Sequence, residues 1–278
     1  MTQVAGRTAF ITGGGSGVAL GQAKIFAQAG CKVAIADIRQ DHLDEAMAWF
    51  EGRGHDVMAV KLDITDRDAY ARAADAVEAK LGPVELLFNT AGVSIFGPLQ
   101  NATYDDWDWQ LDVNLRGVIN GIQTFVPRMI ARGNGGHIVN TASMAGMQGG
   151  LGLSPYGASK FAVVSMSEGL NLQLKPHGIG VSVLCPSYVR TRIGESGRNR
   201  PERYGQSQPL DPASPAAAMV AAIAENIQAG LDPAFVAARV LAAIREDQLY
   251  VFTHQGMRAE VEGRFAAILA AMDTVPAP

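Results

Sequence analysis

Tyr156 and Lys160 stand four positions apart, a spacing that places two side chains on one face of a helix. Ser143 precedes the tyrosine by 13 residues. A phenol has an ordinary pKa of about 10, so it needs help to act as a base at neutral pH. A lysine ammonium beside it favours the phenolate, as would a positively charged ring. A serine hydroxyl can hold a substrate oxygen in place for the transfer. These three residue types therefore suit proton exchange with an alcohol or ketone oxygen. Alone, a Tyr-x-x-x-Lys pair describes equally well a half-buried tyrosine next to a solvated lysine. The pair gains weight from a second cluster near the N-terminus.

That cluster is Gly13-Gly14-Gly15-Ser16-Gly17, between an apolar run at 8–12 and a helical stretch at 18–29. Glycines at such a turn let the backbone reverse and approach a pyrophosphate, whose charge the helix N-terminus stabilises. The phosphate-loop alternative needs a Lys-Ser/Thr pair after the glycines, and none follows. Asp37 ends the next apolar run, 20 residues after Gly17. A carboxylate there accepts hydrogen bonds from adenosine ribose hydroxyls and repels a 2′-phosphate, which favours NAD over NADP. Arg39 pulls the other way, since a guanidinium could pair with that phosphate.

Positioning these groups requires a sheet with all its functional ends on one edge. Short β-branched runs at 8–12, 32–37, 57–62, 85–89, 137–142, 178–185 and 249–253 read as strands. They alternate with helical stretches at 18–29, 40–52, 66–81, 103–132, 155–175 and 233–246. The pattern predicts an α/β fold: a single doubly wound, parallel, seven-stranded, Rossmann-like sheet with helices on both faces, forming one domain over residues 1–278. Ligands in such sheets sit beyond the carboxyl ends of the strands. Asp63, Asn89-Thr90-Ala91-Gly92 and Pro186 all fall there. Residues 191–230 break the alternation with Pro, Gly, Ser and Arg clusters and an Ala-rich stretch. Such an excursion is a lid or binding loop, or else a linker, and the return of regular structure after it favours the lid. The tail at 274–278 is expected to fray.

Bulk properties narrow the functional classes. The chain has 278 residues, 48% hydrophobic and 18% charged, with a formal charge of −4. Scattered basic residues argue against a nucleic-acid partner, and no apolar run is long enough for a membrane span. Cys31 and Cys185 make neither a disulfide framework nor a metal knuckle and read as buried thiols. With the first strand starting near Arg7 and no room for a signal peptide before it, the expected location is cytoplasmic. The five histidines, at 42, 55, 137, 177 and 254, lack metal spacing and read as loop or surface residues. Ser143 lacks the G-x-S-x-G elbow of a hydrolase.

Together, Thr12-Gly13-x-x-x-Gly17, Asp63, Asn89-x-Ala91-Gly92, Asn114, Ser143, Tyr156-Gly-Ala-Ser-Lys160 and Pro186-x-x-Val189-x-Thr191 resemble the short-chain dehydrogenase/reductase family, over residues 4–254. The resemblance implies a catalytic set of Asn114, Ser143, Tyr156 and Lys160. Tyr156 would be the general acid/base, Ser143 would orient the substrate oxygen, Lys160 would lower the tyrosine pKa and hold the nicotinamide ribose, and Asn114 would hold a relay water. The implied cofactor contacts are Gly13, Gly15, Ser16, Gly17, Val18, Asp37, Arg39, Asp63, Ile64, Asn89, Ala91, Gly92, Tyr156, Lys160, Pro186, Val189 and Thr191. Family habit implies a homodimer or homotetramer paired through the helices at 103–132 and 155–175, with Tyr104, Trp107 and Trp109 serving as interface or core. Departures are Ala19 for the third loop glycine, Thr90 for asparagine and Ser187 for glycine.

The stretches at 35–45, 103–108, 136–143 and 195–203 are similar to those of bacterial NAD-dependent Cα-dehydrogenases of lignin β-aryl ether degradation. That narrower likeness implies a bulky benzylic alcohol, with Ser94, Ile95, Phe96, Met144, Met147, Gln148, Tyr188 and Ile193 as wall candidates beside Ser143 and Tyr156. Other readings are a reductase of another bulky ketone, such as a steroid or xenobiotic, and a non-catalytic NAD-binding regulator.

Overall fold

The computed structural model describes residues 2–276. Its centre is a parallel sheet of β1 (Thr8–Thr12), β2 (Lys32–Asp37), β3 (Val57–Lys61), β4 (Val84–Asn89), β5 (Gly136–Thr141), β6 (Ile179–Cys185) and β7 (Tyr250–Phe252). The order across the sheet is β3-β2-β1-β4-β5-β6-β7. Strands buried on both faces explain the near-continuous apolar runs. In β1, Ala9 and Ile11 enter one core cluster while Phe10 enters the other. The first cluster is completed by α1 (Gly17–Gln28), α2 (Gln40–Phe50) and α8 (Pro233–Glu246). The opposite one is completed by α3 (Arg67–Leu81), α5 (Gly117–Arg132) and α6 (Ser154–Leu174). The sheet thus has the expected doubly wound form.

Three differences from expectation bear on the site. The stretch at 103–132 is not one regular helix. It comprises α4 (Tyr104–Leu111), a π-helical segment Asp112–Arg116 and α5. A π segment inserts an extra residue into the turn and re-aims what it carries, here the fully buried Asn114. The excursion after Thr191 contains the short 3-10 turns Ile193–Asn199 and Glu202–Tyr204, then α7 (Pro215–Gln228). Ser214 caps α7 by accepting from Ala217 N, with Pro215 next to it, a start signal legible in the sequence. A further helix, α9 (Arg258–Met272), follows β7 and has no buried residue. Of the tail expected to fray, residues 277–278 lie outside the described residues.

Two histidines are corrected. His42 in α2 and His137 in β5 are buried, not surface residues. His137 lies in a strand buried on both faces, where Nε2 lies 2.9 Å from Ser182 Oγ, and burial pushes its pKa down to about 4. Trp109 is core, packed with Val93 and Tyr204, whereas Tyr104 is exposed. Both cysteines are buried and unpaired.

Candidate active site

The strand order reverses between β1 and β4, so their carboxyl ends open a crevice. Thr12 pins its two lips together. Its hydroxyl donates to Phe88 O and accepts from Thr90 N and Ala91 N at 3.0 and 3.1 Å. The glycine turn then passes so close that a Cβ on Gly13 would lie 2.9 Å from Ala91 Cα. Gly13 and Gly17 take positive φ of +71° and +53°, which glycine adopts without strain. A Cβ at Gly17 would also press on Thr191 Cγ2 at 3.1 Å. The turn and the strap after β6 therefore face each other across the crevice.

The result is a cleft of about 470 Å³. Of the expected cofactor residues, Gly13, Ser16, Gly17, Val18, Asp37, Asp63, Ile64, Ala91, Gly92, Pro186, Val189 and Thr191 line it, with Tyr156 and Lys160. Asp37 is buried at the end of β2, its oxygens accepting from Gly15 N at 3.1 Å and Arg39 N at 3.0 Å. Gly15 stands behind it: a Cβ there would meet His42 Cβ at 2.7 Å. Asn89 lies deeper, donating to Asn140 Oδ1 at 2.9 Å. Arg39 does not reach the cleft, because Asp41 takes its guanidinium through two bonds, Nε to Oδ1 at 2.9 Å and Nη2 to Oδ2 at 2.6 Å. Burial alone would raise the Asp63 carboxyl, but bonds from Thr65 and Arg203 hold it below its ordinary value.

At the other end, Ser143, Tyr156 and Lys160 line the same cleft. Ser143 follows β5, and its hydroxyl donates to Pro186 O at 3.3 Å and accepts from Ala145 N at 3.1 Å. Tyr156 and Lys160 come from the first turns of α6, with Lys160 Nζ 5.4 Å from the phenol ring centre. Burial pushes the Tyr156 hydroxyl up to about 12, against the Ser143 hydroxyl, which favours the phenolate. Burial also pushes the Lys160 ammonium down to about 8. Lys160 Nζ donates to Thr141 O at 2.8 Å. A Cβ on Gly92 would come within 3.6 Å of Nζ and 3.3 Å of Asn114 Oδ1, so glycine there keeps open the space between the two. Asn114 is pinned by Val93, its Oδ1 accepting from Val93 N and its Nδ2 donating to Val93 O, both at 2.8 Å. Nδ2 also approaches Ser159 Oγ at 3.3 Å.

The wall around this end is apolar. Phe96, Met144, Gln148, Tyr188 and Ile193 line it as expected. Ser94, Ile95 and Met147 do not. Ser94 is buried behind the wall with its N–H on Ser196 Oγ, Ile95 packs on the Trp109 cluster, and Met147 packs, partly buried, on the core cluster that contains Met144. Sequence reasoning missed Trp109, Ile223, Ile227 and Met257, which complete the wall. Their signal was weak, since they come from α4, α7 and the turn before α9, which only the fold brings near. It also missed a partner for Asp63, the guanidinium of Arg203.

The geometry has close parallels among known proteins. The family model for short chain dehydrogenases matches residues 7–202. A C alpha-dehydrogenase of Sphingobium sp. strain SYK-6 is 44% identical over 264 residues, covering 95% of this chain and 85% of the relative. A short-chain dehydrogenase/reductase from Burkholderia phymatum, solved in complex with NAD, superposes with a TM-score of 0.92 at 34% identity, covering 100% of this chain and 99% of that one. LigO from Sphingobium sp. strain SYK-6, in its apo form, gives 0.82 at 44% identity, covering 98% and 91%. The chain belongs to the short-chain dehydrogenase family and is an oxidoreductase acting on CH–OH groups.

Proposed function

We propose that the protein oxidises a secondary alcohol to the ketone, and runs the reverse reaction, with NAD in the cleft. The observation that carries this reading is the meeting of Ser143, Tyr156 and Lys160 in the same cleft as the glycine turn and Asp37. The cleft suits a dinucleotide: Gly13 and Gly17 let the turn pack directly against Ala91 and Thr191 with no side chain in between, and Asp37 is held by backbone N–H groups with its carboxylate at the cleft wall. Asp37 supports NAD over NADP, and Asp41 competes with a 2′-phosphate for the Arg39 guanidinium. NAD held there by the glycine turn and Asp37 would supply the acceptor for the hydride leaving the carbinol carbon.

The chain's residues handle the proton. Ser143 Oγ holds the substrate oxygen beside Tyr156, and Tyr156 Oη takes the hydroxyl proton as general base. Lys160 Nζ, fixed by Thr141 O, keeps positive charge near the phenol and lowers its pKa. Asn114 keeps the π segment shaped beside Lys160 and holds a relay water. Replacing Tyr156 with Phe removes the acid/base, so turnover falls ~10²-fold or more. NADH affinity, measured by fluorescence titration, should stay within about threefold, because the phenol hydroxyl acts on the substrate oxygen. Near-wild-type turnover in that variant overturns the assignment.

The substrate we infer is a bulky benzylic alcohol bearing a β-aryl ether, supported by the Cα-dehydrogenase likeness and the apolar wall of Phe96, Trp109, Met144 and Ile223. Residues 191–230 act as the lid of a single catalytic domain. Unpaired thiols at Cys31 and Cys185 support a reducing, cytoplasmic location. Among the described residues no helix is long and apolar enough to cross a membrane. Exposed Ile119 and Leu172 on α5 and α6 support homo-oligomer pairing through those helices.

A further inference from the structure

The strap between β6 and α7 spans both ends of the cleft. Its first half walls the reaction end through Ile193 and Ser196, and Ser196 Oγ accepts from Ser94 N at 3.1 Å. Its second half crosses to the adenosine end. There Arg203 Nη2 donates to Asp63 Oδ2 at 3.1 Å and to Thr65 Oγ1 at 2.9 Å. Between the two, Arg200 and Asp106 form an ion pair with both side chains 3% exposed. The Arg200 guanidinium also lies over the Trp109 ring, 5.2 Å from its centre.

The two ion pairs differ in kind. Arg200–Asp106 is dry, and opening it leaves two buried charges unpaired, so it acts as a fixed rivet. Arg203–Asp63 is half-exposed, with side chains 51% and 28% accessible, and such a pair is nearly neutral in water. It can open and close easily. Its carboxylate partner, however, belongs to the wall of the cleft. A ligand seated along Asp63 displaces water from the pair, and Coulomb attraction strengthens as the local dielectric falls.

We propose that Arg203 is a positioning residue that couples the adenosine end of the cleft to the substrate wall. A dinucleotide seated against Asp63 tightens the Arg203 clamp, and the clamp sets the strap that carries Ile193 and Ser196. The proposal rests on the reading that the cleft binds NAD. Arg203 touches no reacting atom in this scheme. Thermodynamic reciprocity requires that a bound alcohol or ketone tighten the dinucleotide by the same factor.

The test uses the full-length wild type, Arg203→Met and Arg203→Lys, each checked for an unchanged melting temperature. Trypsin cleavage after Arg192 and Arg198, both exposed on the strap, is followed with and without saturating NADH. NADH should slow this cleavage ~5-fold or more in the wild type and by less than about twofold in R203M. Arg203→Lys, which keeps the charge on a shorter side chain, should restore part of the protection. With α-(phenoxymethyl)benzyl alcohol as probe, KM should rise ~5-fold or more in R203M while kcat stays within about twofold. If R203M folds poorly, Arg203→Gln serves in its place. A wild type that binds NADH but shields its strap no better than R203M overturns the coupling alone. A wild type that takes up no NADH overturns the cofactor reading and the coupling with it.

Discussion

In the proposed reaction Lys160 sets the proton balance of the site. Its ammonium is buried, bonded to Thr141 O, and pushed down to about 8, while the neighbouring phenol stands at about 12. At neutral pH without cofactor the pair is therefore a neutral phenol beside a cation. Alcohol oxidation needs the phenolate, so kcat/KM for oxidation should rise with pH. In Lys160→Met the phenol loses its nearby positive charge, and the inflection of the pH–rate profile should move upward. An unmoved inflection would show that the ammonium does not govern the tyrosine. Asp37 is the second residue with a measurable signature. In Asp37→Ala the carboxylate no longer opposes a 2′-phosphate, so the NAD/NADP ratio of kcat/KM should fall ~10-fold or more. NADH affinity should also weaken, because Gly15 N and Arg39 N lose their acceptor. Equal use of both cofactors by the wild type would contradict the role given to Asp37.

Among the elements, α4 is tied to the strap through Asp106. Asp106 is both the N3 residue of the α4 capping box and the buried partner of Arg200. Replacing Arg200 with Leu leaves that carboxylate buried without its cation, which costs ~3–5 kcal/mol. Thermal denaturation should show the loss. Arg200→Leu combined with Asp106→Asn should recover a substantial part, because the stranded charge is gone. The glycine turn gives a second check at this scale. Gly17→Ala forces a Cβ into positive φ and against Thr191, and should cost ~1–2 kcal/mol together with weaker NADH binding.

The whole molecule responds to acid through His137. Folded, its imidazole is buried and pushed down to about 4, whereas in the unfolded chain it ionises near ~6.5. Between those values the unfolded chain binds a proton that the folded one refuses, so stability falls as pH drops through that window and levels off below it. The loss is at most ~3 kcal/mol, tempered by Asp247, which faces the same space across Gly180 and favours the charged form. Denaturant midpoints measured against pH should show a shallower acid slope for His137→Asn than for the wild type. Assembly belongs to this scale too. Leu172→Arg, on the exposed side of α6, should lower the mass seen by light scattering if α5 and α6 pair subunits.

The amino-acid order alone determined the sheet, because strands buried on both faces must be apolar throughout and helices between them must repeat every 3.6 residues. It also determined which residue types stand at the strand ends, since Gly13, Asp37, Ser143 and Tyr156 announce themselves by local turn, cap and helix spacing. Local pattern could not show that 103–132 bends through a π segment, because the apolar period runs on through it. It could not place His42 and His137 inside, as a lone histidine carries no periodic signal. α7 was readable from its Ser214 cap, Pro215 and Ala-rich run, but not its place over the cleft. The substrate wall and the Arg203–Asp63 contact were decided by tertiary structure alone. Asp63 and Arg203 lie 140 positions apart, and charge complementarity between distant residues has no footprint in a single sequence.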